Sequence, residues 1–154
     1  MDNLTQTAIG ITIRLNMDFE SALARVADAL KTEGFGVLTE IDVKETLKKK
    51  LGVDFRPYKI LGACNPPLAY RALSAASQVG LLLPCNVTVS QVGEGVEVSL
   101  VDPLATLGVV AAAELEPIAQ KARARLFALA ELPNPAALGP KYNRPLNLEV
   151  ERAV

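Results

Sequence analysis

The chain contains no histidine. That absence removes Ser-His and Cys-His relays, histidine-ligated zinc and the usual general base near neutral pH. Aromatic residues are few, three tyrosines and four phenylalanines in 154 residues, which gives no surface for stacking bases. Charge of neither sign prevails: 16 basic and 17 acidic residues leave a net charge of −1. A phosphate backbone therefore finds no electrostatic footprint, and nucleic acid is excluded as an expected partner. No apolar run approaches the ~20 residues of a membrane helix; the longest bland stretch, Pro103 to Ala113, is closed by Asp102 and Glu114. The opening residues MDNLTQTAIG lack the basic start and continuous apolar core of a secretory signal. The expectation is a soluble, cytoplasmic protein with no membrane partner. In that compartment the two cysteines read as thiols or transient redox partners rather than a structural disulfide. Asn3-Leu4-Thr5 and Asn86-Val87-Thr88 match the glycosylation pattern, which has no meaning without export.

What is present is enough for one core. Half the residues are apolar and 21% are charged, a globular composition. A chain this long buries roughly 70% of the surface its unfolded form exposes. The expected organisation is a single α+β domain over residues 1–132 and a Pro- and Asn-rich extension over 133–154, which has no helical or strand period.

The periodicities predict the order β-α-β-α-β-α-β-β-α. Ile9, Ile11, Ile13 and Leu15 alternate with polar or small residues, as in a strand with one buried face. Asp18 caps a helix whose apolar stripe is Phe19, Ala22, Leu23, Val26 and Leu30, ended by Gly34. Phe35, Val37 and Ile41 follow as a strand. Asp42 and Glu45 make a capping-box-like start to a short helix with Val43, Leu47 and Leu51 inward, stopped at Gly52. Lys48, Lys49 and Lys50 lie at its C-terminus, where cations suit the dipole.

A third strand spans Arg56 to Cys64, with Tyr58, Ile60 and Cys64 on one face and Lys59, Leu61 and Ala63 on the other. Asn65-Pro66 starts a helix with Leu68, Ala69, Ala72, Leu73 and Ala76 on its apolar side. Asn86 to Val92 and Val96 to Val101 form a hairpin about Gly93-Glu94-Gly95. Asp102-Pro103 starts a helical turn that Gly108 interrupts. Leu115, Ile118, Ala119, Ala122, Leu126 and Leu129 complete an amphipathic last helix. Strands with one polar face and a late hairpin favour a mainly antiparallel sheet with helices packed on one face. A parallel doubly wound sheet is the runner-up, yet no Gly-rich phosphate loop follows any strand; no cofactor is expected.

Two Cys-Asn elements, Cys64-Asn65 and Cys85-Asn86, carry the functional signal. Cys64 precedes a helix cap, where the dipole and free amides can stabilise a thiolate, and Lys59 and Arg71 are candidate sources of positive charge. Each asparagine can hold the backbone beside its cysteine. The competing reading makes both cysteines small buried hydrophobes, Asn65 a cap and Asn86 a turn residue. Zinc normally takes four ligands, so two thiols would need a second subunit or carboxylates, and no metal site is expected. Glu40 and Asp42 share a strand parity and could be paired carboxylates, yet capping and solvation explain both. Tyr58 and Tyr70 flank the first element as amphipathic packing residues.

The run Tyr58-Lys59-Ile60-Leu61-Gly62-Ala63-Cys64-Asn65-Pro66, followed by Gly80-Leu81-Leu82-Leu83-Pro84-Cys85-Asn86-Val87, resembles the bacterial and archaeal family catalogued as domain of unknown function 302. The core of the resemblance runs from about Glu40 to Asp102. It implies a TATA-binding-protein-like α+β fold, an antiparallel sheet backed by helices, and homodimers. It implies no catalytic residue, because the family has none assigned, and the likeness of fold implies nothing about DNA.

Two expectations follow. The first is a dimeric ligand-binding or interaction module in which the Cys-Asn elements shape a pocket or interface, with Asn65, Asn86, Lys59, Tyr58 and Arg71 as binding candidates. It places the ligand or partner on the sheet face that helices leave open. The second is a thiol-based sulfur-transfer or redox protein with Cys64 as nucleophile and Cys85 as resolving partner. Soft-metal binding shared across a dimer is a third option.

Overall fold

Period-two patterning and helix caps build an alternating chain, which a computed structural model describes over residues 3–132. The strands are β1 (Leu4–Gln6), β2 (Gly10–Leu15), β3 (Gly36–Asp42), β4 (Tyr58–Cys64), β5 (Cys85–Val92) and β6 (Gly95–Val101). The helices are α1 (Phe19–Thr32), α2 (Val43–Leu51), α3 (Pro66–Ala75), α4 (Pro103–Leu107) and α5 (Leu115–Phe127), with 3-10 turns at Ser77–Leu82 and Ala128–Glu131. All strands join one sheet in the order β1-β2-β6-β5-β4-β3, and every neighbouring pair is antiparallel. The expected α+β architecture is present.

One sheet face carries Ile11, Ile13, Leu15, Leu61, Ala63, Val87, Val89, Val96, Val98 and Leu100, all buried. Against it pack Ala22, Val26, Ala29 and Leu30 of α1 together with Leu126, Leu129 and Leu132. The stripe predicted for α1 is therefore the one that builds the core, and Asp18 caps it through the backbone N–H of Ser21. The opposite face is largely polar. Thr12 and Ser99, paired across β2 and β6, share a hydroxyl hydrogen bond of 2.8 Å, and Arg56 Nε donates to Ser90 Oγ at 2.8 Å. The hairpin between β5 and β6 turns at Gly93-Glu94; Gly93 has φ +59°, a conformation that glycine adopts without steric cost.

A second apolar cluster stands beside the sheet. It gathers Leu68 and Ala72 of α3, Val79, Leu107 of α4, and Leu115, Ile118, Ala119 and Ala122 of α5. Asp102 ties this unit together. Its Oδ1 accepts from the Leu104 N–H at 2.9 Å, capping α4, and its Oδ2 accepts from Arg123 Nε on α5 at 3.1 Å.

Several local expectations change. β1 was not foreseen; all three of its residues are exposed, so it has no apolar alternation to read. Ile9 lies outside β2 and is 75% exposed. β3 is a sheet edge with a bulge between Val37 and Thr39; Phe35, just before it, is buried, whereas Val37, Leu38 and Ile41 are exposed. The stripe assigned inward on α2 is not covered: Val43 and Leu47 are half-buried and Leu51 is exposed. Its start and stop are as expected, Asp42 accepting from the Glu45 N–H and Gly52 closing the end. β4 begins at Tyr58 rather than Arg56. The proposed extension over 133–154 lies outside the described residues.

Candidate functional site

Register decides which residues meet. Ala63 of β4 stands opposite Cys85 of β5, so Cys64 and Cys85 emerge side by side where β4 runs into α3 and the Ser77–Leu82 turn delivers the chain to β5. Between this strand end and the second apolar cluster lies a cavity of about 280 Å³. Phe35 and Ala63 belong to the sheet-side core, and Leu68, Ala72, Leu107, Ile118 and Ala122 to the second cluster; the cavity is the seam between them. Among the described residues, Cys64, Asn65, Cys85 and Thr106 are the only ones lining it with polar side-chain atoms, and no charged residue lines it.

Gly62 makes the strand end fit. A Cβ there would overlap Thr39 Oγ1 and come within 2.7 Å of Pro84 Cγ, so only glycine lets β3 and the Leu83-Pro84 segment close over β4. Leu82, Leu83 and Pro84 then form one wall of the cavity.

The thiols are held in their protonated form. Burial pushes the Cys64 thiol up, and burial together with nearby Cys64 pushes Cys85 up to about 11. The expected activation at the helix start is opposed by local sequence. Pro66 and Pro67 occupy the first two positions of α3 and have no N–H to offer. The Leu68 N–H goes to Asn65 Oδ1 at 3.3 Å, and the Ala69 N–H to the Asn65 carbonyl at 2.9 Å. The first turn thus retains no amide for a thiolate, and desolvation sets the direction. Neither cysteine is in a disulfide.

Asn65 is the polar residue of the site. It is 4% exposed, its Oδ1 caps α3, and its Nδ2 has no hydrogen-bond partner. Asn86 behaves differently despite the repeated dipeptide: it is an exposed strand residue opposite Gly62 and does not line the cavity. Lys59 sits at the far end of β4, roughly 16 Å from Cys64 at ~3.3 Å per residue. There it pairs with Glu40 at 2.6 Å, a hydrogen bond that raises its pKa. Tyr58 lies 6.2 Å from Phe55 and 5.5 Å from the Arg56 guanidinium, also away from the cavity. Arg71 is half-buried on α3 with Nη1 unpartnered, but it is not part of the lining. Tyr70, expected to pack, is 75% exposed.

Of the residues singled out in the sequence, Cys64, Asn65 and Cys85 line the cavity; that apolar helix faces close over them as its wall was not foreseen. Leu68, Ala69, Ala72 and Leu73 of α3 and Ile118 and Ala122 of α5, legible as apolar helix faces, form much of that wall, and the run ending at Pro84 supplies Leu82 and Leu83; Leu38 reaches the cavity only through packing. The uncovered sheet face is not where the cavity lies. Among the described residues, no group of three or more Cys, Asp or Glu converges to hold a metal, and no helix is long and apolar enough to cross a membrane. A second cavity, about 290 Å³ between α4 and α5, includes neither cysteine.

A family model described as a domain of unknown function, DUF302, matches residues 11–132. No curated protein matches the chain. Among solved structures, the crystal structure of an uncharacterized conserved protein DUF302 from Bacillus stearothermophilus is similar, with a TM-score of 0.75 and 32% identity. The similarity covers 81% of this chain and 98% of that one.

Proposed function

The chain belongs to the DUF302 family of domains of unknown function, and from that premise we propose that it is a small-molecule-binding module whose ligand occupies the seam cavity. The observation that carries this reading is an apolar cavity of about 280 Å³ into which the Cys-Asn element opens. Concave, mostly apolar sites with a few placed polar groups are the usual form of small-molecule sites. The cysteines act here as neutral, polarizable wall atoms rather than as nucleophiles.

The module works as a cytoplasmic dimer. Two reduced cysteines suit that compartment. The β3 edge supports the second copy, since it leaves strand hydrogen-bonding groups unpaired beside exposed Leu38 and Ile41.

The test is fluorescence of N-phenyl-1-naphthylamine, which brightens in apolar sites. Wild type is expected to bind it. Ala69→Phe, which places a ring at a half-buried lining position, is expected to abolish binding while circular dichroism stays unchanged. Absence of binding to wild type, or equal binding by a folded Ala69→Phe protein, would sink the reading.

A second reading keeps the thiols as a redox pair. It is favoured by one observation, that both line one cavity and that Cys64 raises Cys85. Both thiols are half-buried, and the desolvation that raises their pKa opposes it.

A further inference from the structure

Resting on the binding reading, the identity of the ligand class follows from one unpaired donor. Asn65 lines the cavity and is 4% exposed. Its amide has a fixed orientation, because the Leu68 N–H requires the oxygen as acceptor and takes it at 3.3 Å. The NH2 end is then a buried donor without a partner, an arrangement that folded proteins avoid unless something else satisfies the group. Thr106 also lines the cavity, but its hydroxyl donates to the Pro103 carbonyl at 3.3 Å.

The lining also says what the ligand is not. Among the described residues, no Lys, Arg, Asp or Glu borders the cavity. A carboxylate or ammonium placed there would lose its hydration with no counter-charge to replace it. Apart from Phe35 and the two cysteines, the remaining wall is leucine, isoleucine, alanine and proline, suited to an aliphatic body.

We infer that the cavity takes an uncharged lipophilic carbonyl compound, such as an aliphatic ketone, ester or amide, whose oxygen accepts from Asn65 Nδ2. The alkyl portion lies along Leu68, Leu107 and Ile118, and the carbonyl end points to the start of α3.

Displacement of bound N-phenyl-1-naphthylamine by 2-nonanone, nonane and nonanoate tests this. Wild type is expected to prefer 2-nonanone over nonane by about tenfold, the worth of satisfying a buried donor, and to bind nonanoate more weakly than the ketone. Asn65→Asp and Asn65→Ser keep an oxygen to cap α3 and remove the amide donor; in both the ketone preference is expected to fall at least severalfold while the probe still binds. Equal displacement by ketone and hydrocarbon in wild type, or tighter binding of nonanoate, overturns the carbonyl inference and leaves the cavity reading standing. Failure of the probe and all three compounds to bind wild type overturns both. Should neither variant fold, the wild-type series decides alone.

Discussion

Cys85 faces Ala63 across the β4–β5 ladder, and this register sets Cys64 beside Cys85 at one cavity wall. The consequence is chemical as well as geometric: each thiol is desolvated, and Cys85 also carries the repulsion of a neighbouring thiolate. A pair held in this way is a poor nucleophile at neutral pH, because the thiolate is the reacting form.

Alkylation by iodoacetamide, followed by intact mass, is expected to be slow for the native protein at pH 7. Cys64 is expected to react before the more deeply buried Cys85, and both rates should climb only above pH 9. Rapid modification of Cys64 near neutrality would revive the redox reading.

Alkaline pH should destabilise the fold through Cys85. Its folded pKa of about 11 lies above the ordinary 9.0, so between those values the native state binds more protons than the unfolded state. Stability falls with rising pH in that window: the contribution is fully present below about 9 and lost as pH passes about 11. Lys59, raised by its hydrogen bond to Glu40, acts with the same sign at the upper end. Urea midpoints measured from pH 8 to 11 should decline less steeply in Cys85→Ala than in wild type. Parallel slopes would contradict this assignment.

The two asparagines should separate sharply. Asn65→Ala removes the α3 cap and is expected to cost about 1 kcal/mol, within the range of cap losses. Asn86→Ala, at an exposed strand position, should stay within about 0.5 kcal/mol of wild type. Urea denaturation of both variants measures the difference.

Self-association should depend on the β3 edge. Ile41→Lys puts a charge on an edge residue that is 49% exposed, and lysine on an edge opposes strand pairing. Sedimentation velocity is expected to show a dimer for wild type and a monomer for the variant, with unchanged melting of the monomer fold. A wild-type monomer would dismiss the dimer proposal.

Much of the fold was legible because local signals and tertiary structure agreed. Asp18, Asp42, Asn65 and Asp102 each cap the helix that the sequence assigned to them, since an N-cap needs only its own side chain and the next turn. The stripe on α1 and the alternation of β2 and β6 were readable because one face is buried along the whole element. Exposure made β1 and the β3 edge harder to read. A three-residue strand with no buried side chain has no pattern, and an edge strand is satisfied from one side only.

By itself, then, the sequence determined the α+β class, the caps, the hairpin and the two cysteine positions, because those depend on neighbours within a few residues. It also contained Pro66-Pro67, whose missing N–H groups oppose a thiolate at the start of α3, although the helix start alone had suggested the reverse. Tertiary structure alone decided that Cys64 and Cys85 share a wall, that Asn65 is buried with a donor to spare, and that Asn86 is not its equivalent. Those facts follow from strand register and from the imperfect closure of two apolar clusters, and neither quantity is stored in the spacing of residues along the chain.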